Sequence, residues 1–202
     1  MCCFSRPVEY VSATRIFARP LADGMQYLVY AMNFSAAGEL AMILPLPVPP
    51  GPAEDAVRFV SLERYEDFFD DVGKAFPPIV LAAKGGILLA QAASARPKLA
   101  VRAVGAFEAS FVPTLADFAR LDERFQLSPR VWDRLPRYGD WGFAVFRLRP
   151  PRRSWWQIFG GKSQTVHPMA FCFPRRDPRS MFFPTVHVHD GEVHERAPFD
   201  HT

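Results

Sequence analysis

The sequence predicts an α+β domain built mainly on an antiparallel sheet, with about three short helices. Apolar and polar residues alternate in many short segments, and only a few segments show the spacing of an amphipathic helix. Proline is frequent, at 20 of 202 residues, and it limits strand length because it cannot donate to a β-ladder. A hydrophobic fraction of 49% and a charged fraction of 22% are typical of a globular protein. We therefore expect residues 1–202 to form a single domain.

The first half of the chain predicts three consecutive strands and then a helix. The strands are expected at residues 14–19, 25–34 and 40–46, with turns around Gly24 and Gly38. The proline-rich stretch that begins at Pro45 must leave the sheet. Residues 62–76 are the clearest helix, because the aromatic residues and Val72 recur at the i, i+3, i+4, i+7 spacing.

The second half predicts short strands mixed with short helices. Residues 101–112 alternate well enough for a strand or hairpin, and Thr114 then caps a helix that ends at Leu121. Ser128-Pro129 begins another helix, since serine is favoured at the N-cap and proline at the first helical position. Further strands are expected at residues 141–148, 167–173 and 181–190, followed by a return strand from Glu192.

The pair Asp190-Gly191 predicts the two-residue turn of a β-hairpin. With this turn, His189 lies opposite Glu192 and His187 lies opposite His194. One face of the hairpin then carries three of the five histidines and a carboxylate, and the other face carries valines. A three-residue loop would shift the register and move His194 to the valine side.

Such a face suits a divalent metal ion, and zinc is the metal we expect. His187, His189, Glu192 and His194 would be its ligands, with Glu192 acting as a ligand or as the general base of a metal-dependent hydrolase. Two alternatives stay open at this point: a metal-free acid-base or binding face, and a surface hairpin with solvated histidines. His167, on the preceding strand, could be a further ligand or proton shuttle, or a hydrogen-bonded structural residue.

The beginning of the chain carries a second hypothesis. If Met1 is removed, Cys2 has both a thiol nucleophile and an α-amine that could serve as its base, as in an amidase. The opening Met-Cys resembles that of class II glutamine amidotransferases, whose next residue is glycine where this chain has Cys3. The alternative is that both cysteines are small structural residues. No spacing in the sequence connects Cys2 or Cys3 to the histidines.

A third hypothesis is a non-catalytic binding module. Residues 152–156, Arg-Arg-Ser-Trp-Trp, could dock an anionic partner or a membrane surface, or they could form an exposed loop with partly packed tryptophans. The ligand of any of these sites would be a small molecule or a peptide.

Composition and length argue against other classes of function. A net charge of +3 is too small for a protein whose affinity rests on phosphate contacts, so we expect no nucleic-acid partner. The longest apolar stretch, residues 79–95, is interrupted by Lys84 and falls short of the roughly 20 residues that span a bilayer. Three cysteines do not form a disulfide framework, and the opening residues lack the pattern of a secretory signal. These features predict a cytoplasmic protein.

Several whole segments resemble a family of uncharacterised bacterial proteins that begin Met-Cys-Cys-Phe-Ser. The resemblance lies in residues 14–19, 41–49, 107–114 and 183–191, the last of which reads Phe-Pro-Thr-Val-His-Val-His-Asp-Gly. It implies a bacterial, cytoplasmic setting. That family has no assigned activity, so the resemblance transfers no catalytic residues.

Overall fold

Two antiparallel sheets form the protein in a computed structural model, which describes residues 3–65, 67–76, 108–148, 164–165 and 168–194. The first sheet contains, in spatial order, β1 (Cys3–Phe4), β4 (Leu40–Leu46), β7 (Gly142–Leu148) and β6 (Glu108–Val112). The second sheet contains β2 (Tyr10–Pro20), β3 (Met25–Ser35), β9 (Met169–Pro174) and β5 (Arg58–Val60), and β8 (Gln164–Thr165) also pairs with β3.

Helices are few and short in the described part of the chain. The α-helices are α1 (Phe68–Ala75) and α2 (Pro129–Asp133), and 3-10 turns occupy Leu115–Arg120, Glu123–Phe125 and Pro136–Tyr138. An α+β fold with a mainly antiparallel sheet is therefore confirmed. No helix among the described residues is long and apolar enough to cross a membrane.

The main core lies between the two sheets. Successive side chains of a strand point to opposite faces of its sheet, so every second residue points into this core. In β4, Leu40, Met42 and Leu44 are 0–1% exposed and pack in this core, whereas Ala41 and Ile43 belong to the opposite face of the same strand. The facing sheet contributes mainly aromatic and long aliphatic side chains: Leu28, Tyr30, Met32, Phe34, Phe171 and Phe173. Side chains of the strands and of the segments next to them thus form the main core.

The outer face of each sheet is covered by a smaller apolar cluster. On the second sheet, Phe69 of α1 packs against Val29 and Ala170. On the first sheet, Phe118 and Val131 belong to a cluster with Ile43, Phe143, Val145, Val186 and Val188. Val186 and Val188 thus help to cover the outer face of the first sheet.

The predicted strands at 14–19, 25–34, 40–46 and 141–148 form close to the expected bounds. The helix predicted at 62–76 is shorter, because residues 62–65 form a turn in which the Tyr65 N–H donates to the Leu62 carbonyl at 2.9 Å. The helix after Thr114 is a 3-10 turn. Of the strand predicted at 101–112, the structure describes Glu108–Val112.

Candidate functional site

Residues 181–194, here named the histidine segment, are fastened to both sheets. The buried amide of Gln26 in β3 donates from Nε2 to the Phe182 carbonyl at 2.6 Å and accepts the Phe182 N–H at 2.9 Å. The N–H of Phe4 in β1 donates to the Val188 carbonyl at 2.9 Å, and Cys3 pairs with Val188 in an isolated parallel bridge. The Val8 N–H donates to the His189 carbonyl at 2.9 Å. Backbone and side-chain hydrogen bonds therefore fix the position of both histidines.

The strand predicted at 181–190 and the hairpin predicted at Asp190-Gly191 are wrong. The described residues of the histidine segment contain no β-ladder, only the single bridge from Val188 to Cys3. A two-residue turn of the predicted type needs positive φ at both central residues, but only Gly191, at 86°, has it. The Asp190 carboxylate instead accepts the Glu192 N–H at 3.0 Å, and β1 takes the backbone hydrogen bond of Val188.

The predicted separation of valines from histidines nevertheless holds along the extended part of the segment. Val186 and Val188 are 7% and 0% exposed and pack in the outer cluster of the first sheet. His187 and His189 are only partly buried, and their rings stack with centroids 3.7 Å apart and planes tilted by 32°. Alternation of side chains survives without a hairpin because it depends on extended backbone, not on a partner strand.

Phe4 forms the wall of the site on the β1 side. Its ring meets the edge of the His189 ring at a centroid distance of 5.1 Å and an interplanar angle of 62°. Phe4 itself is 1% exposed and belongs to the main core between the sheets. His189 therefore packs against a fully buried aromatic side chain.

Both stacked imidazoles are held in their neutral form. Burial lowers the pKa of His187, and the positive charge of the amino terminus lowers it further. Burial also lowers the pKa of His189, to about 4, with additional contributions from His187 and the amino terminus. Nε2 of His189 is buried and has no hydrogen-bond partner among the residues that the structure describes. A buried imidazole nitrogen of this kind is a proton acceptor or donor without an assigned structural role.

The structure does not bring the four predicted metal ligands together as one set. Glu192 accepts a hydrogen bond from Arg134 at 2.9 Å, and His194 Nε2 lies 2.7 Å from the Asp190 carboxylate. Over the described ranges, no group of three or more histidine, cysteine, aspartate or glutamate side chains is placed to hold a metal ion. The expected one-sided face fails because it required a hairpin register that does not form. Metal binding, with zinc as the expected ion, stays a prediction.

The cysteines fall into two classes. Cys3 is 0% exposed within the valine cluster, and Cys172 is 4% exposed on β9. Thiols buried in this way are chemically inert packing residues. Cys2 directly precedes β1 in the sequence but lies outside the described residues.

Two other sequence-based hypotheses also fall outside the described ranges. They concern His167 and the loop at residues 152–156.

Sequence reasoning missed two members of the site. The sequence contains no local signal that Phe4 belongs to the site, because its contact with His189 joins residues from distant parts of the chain. Asp190 was read only as a turn residue. The preference of aspartate for accepting the N–H two residues later could have identified its actual role.

Comparison of the chain with protein-family models, with curated proteins and with solved structures found no match.

Proposed function

We propose that the protein catalyses thiol-dependent acyl transfer or hydrolysis, with Cys2 as the nucleophile and the stacked pair of His187 and His189 as its base. One observation carries the proposal: two stacked, neutral imidazoles flank Val188, which bridges to β1, and the ring of His189 contacts Phe4. The substrate class would be small-molecule or peptide amides and esters. This is the amidase-like hypothesis with an imidazole, and not the α-amine, as the base.

The register of β1 supports the pairing of Cys2 with His187. Cys3 is level with Val188 in a parallel bridge, and Phe4 contacts His189, the residue after Val188. Cys2 precedes Cys3 in the sequence as His187 precedes Val188, and this relation motivates the proposed pairing.

The chemistry follows from the neutral state of the pair. His187 accepts the thiol proton, and the thiolate attacks the acyl carbon to give a tetrahedral intermediate. Collapse of this intermediate breaks the bond to the leaving amine or alcohol, which takes the proton from the imidazolium. Water then attacks the thioester with the imidazole as base, which releases the carboxylic acid and restores the thiol.

Two features favour this role over a shared metal ion. Lone pairs of imidazole lie in the ring plane, and rings stacked at 3.7 Å with a 32° tilt do not direct them at one point at metal-bond distance. Cys3 and Cys172 are buried, which disfavours them as nucleophiles, so the proposal assigns the thiol chemistry to Cys2.

The test measures how fast iodoacetamide alkylates each cysteine near neutral pH, with peptide mass mapping to separate Cys2 from Cys3 and Cys172. We expect Cys2 of the folded protein to react at least about tenfold faster than in the urea-unfolded protein, because a neutral His187 would accept the thiol proton as the sulfur attacks, and general-base assistance of this kind contributes more than tenfold. His187→Gln should remove most of this acceleration. Thr185→Ala, an exposed position of the same segment, should not.

Two further measurements assign the reaction and the base. Brief reaction with 4-nitrophenyl acetate should leave an acetyl adduct on Cys2 that water later removes, and Cys2→Ala should not form it. Intact mass shows whether Met1 is present, and a reactive Cys2 in a chain that retains Met1 excludes the α-amine as its base. Folded protein whose Cys2 reacts no faster than the unfolded chain would overturn the proposal.

A further inference from the structure

A row of four side chains crosses the outer face of the second sheet. In spatial order it consists of Arg19 in β2, Tyr27 in β3, Cys172 in β9 and Arg58 in β5, each directly opposite the next in the antiparallel ladder. Directly opposed residues of antiparallel strands place their side chains on the same face of the sheet. Tyr27 packs with the apolar cluster outside this sheet, so the whole row lies on the outer face and not in the main core.

The two arginines at the ends of the row carry charges that the protein does not neutralise. Both are exposed, and neither has an acidic partner or a hydrogen-bond acceptor among the described residues. Several other arginines are paired with carboxylates: Arg15 with Asp70, Arg120 with Glu54, Arg147 with Glu39 and Arg176 with Asp140. Arg19 and Arg58 are therefore available to an anion from solution.

The surroundings of the row strengthen its positive potential. The five strands of the second sheet contain no aspartate or glutamate. The neighbouring row of the same face consists of Phe17, Val29, Ala170 and Val60. Arg15, one row further along β2, is neutralised by Asp70 of α1 at 3.2 Å. Like charges at the two ends of one row repel each other, and an anion between them would relieve this repulsion.

The spacing of the row allows both arginines to reach one ligand. Neighbouring strands lie about 4.8 Å apart, so the backbones of Arg19 and Arg58 are separated by three spacings, or about 14 Å. The long side chains can close this gap from opposite ends, above the partly buried Tyr27 and the short side chain of Cys172. The Tyr27 hydroxyl has no hydrogen-bond partner among the described residues. Burial raises the pKa of Tyr27, so the hydroxyl keeps its proton and can donate.

We propose that this row binds the phosphate group of a small molecule, which lies between Arg19 and Arg58 and accepts a third hydrogen bond from the Tyr27 hydroxyl. A tetrahedral phosphate accepts hydrogen bonds from several directions, whereas a planar carboxylate is well satisfied by a single bidentate arginine. Donors that approach from two ends and from below therefore favour phosphate. The site shares no residue with the histidine segment, so this inference does not depend on the proposed thiol chemistry.

The test is an NMR titration of the full chain with inorganic phosphate, and with acetate as the comparison anion. Ionic strength is held constant, because exposed charges are screened by salt. The signals to follow are the Nε–H groups of the arginines and the ring protons of Tyr27. The variants are Arg19→Gln, Arg58→Gln and Tyr27→Phe. The matched control is Arg130→Gln, which removes another exposed arginine without a described partner, located in α2 outside the first sheet.

We expect phosphate to shift the signals of Arg19, Arg58 and Tyr27 in a saturable way and acetate to bind more weakly. Each arginine variant should weaken phosphate binding by about tenfold or more, and Tyr27→Phe by roughly threefold, because hydrogen bonds from charged donors are stronger than those from neutral donors. Arg130→Gln should bind phosphate as the wild type does. Both arginine variants should unfold in urea as the wild type does, since surface substitutions of this kind have small effects on stability.

Three results would overturn the inference. The first is the absence of a saturable phosphate response at this row. The second is equal binding of acetate and phosphate, which would show that the row does not select a tetrahedral anion. The third is a folded Arg19→Gln or Arg58→Gln protein that binds phosphate as tightly as the Arg130→Gln control, because the proposed site requires both arginines.

Discussion

The two sides of the histidine segment differ in what surrounds them. Val186 and Val188 are buried in an apolar cluster, and their backbone neighbour is the equally buried Cys3. His187 and His189 alternate with them, yet they are partly exposed and stacked on each other, and His189 contacts Phe4. Among the consecutive residues 186–189, the two valines therefore contribute to stability, and the two histidines provide titratable groups. Substitutions on the two sides should therefore have different effects.

The largest effect is expected on the valine side. Val188→Asp places a charge without a partner where the side chain is 0% exposed, and it should lower the free energy of unfolding by about 3 to 5 kcal/mol. Urea unfolding measures the loss. Thr185→Asp, at an exposed position three residues earlier, should change stability by less than about 0.5 kcal/mol. Similar losses in both variants would show that the segment is not packed as described.

The pH dependence of stability is the next effect and belongs to the histidine side. The pKa of His189 is about 4 in the folded protein against 6.5 ordinarily, so between these values the unfolded chain binds more protons. The free energy of unfolding should therefore fall as the pH drops from 6.5 to 4. His189→Leu should have a shallower slope in this window when both are followed by urea unfolding. Equal slopes would contradict a buried, neutral His189.

His189→Leu should also show that this side chain is not retained for stability. At neutral pH we expect the variant to be as stable as the wild type or more stable by about 1 kcal/mol, because it removes a buried nitrogen without a described partner. The matched variant His194→Leu removes the contact with Asp190 and should be less stable by up to about 1 kcal/mol. Thermal and urea unfolding of both proteins measure these stabilities. If His189→Leu were the less stable of the two, His189 and not His194 would be the histidine that contributes to stability.

The smallest effect is expected at the rim of the site. Glu192→Gln breaks an ion pair with Arg134 in which the side chains are 68% and 52% exposed, so stability should change by no more than about 0.5 kcal/mol. A loss of several kcal/mol would mean that Glu192 has a buried partner. Urea unfolding at low and high salt distinguishes the two cases, since the contribution of an exposed ion pair to stability decreases as the salt concentration rises.

Local patterns predicted much of the fold but not the contacts that assemble the site. The strands at 25–34 and 40–46 and the separation of valines from histidines follow from alternation, which acts over a few residues. The helical turns after Thr114 and Ser128 begin where predicted, although neither side chain makes a capping hydrogen bond. The hairpin failed because β1 and the Asp190 side chain compete for the same backbone groups. The outcome of that competition depends on contacts between segments that are distant in the sequence. Such contacts leave no local pattern in a single sequence.

The bridge between Cys3 and Val188 has a consequence for synthesis of the chain. The two residues are separated by most of the sequence, so β1 leaves the ribosome long before the residues that complete its edge. Contacts between such distant residues form slowly because a long loop must close first. The stacked histidines are therefore assembled beside β1 only after residues 181–194 have been synthesised, and a shorter nascent chain should lack the site altogether.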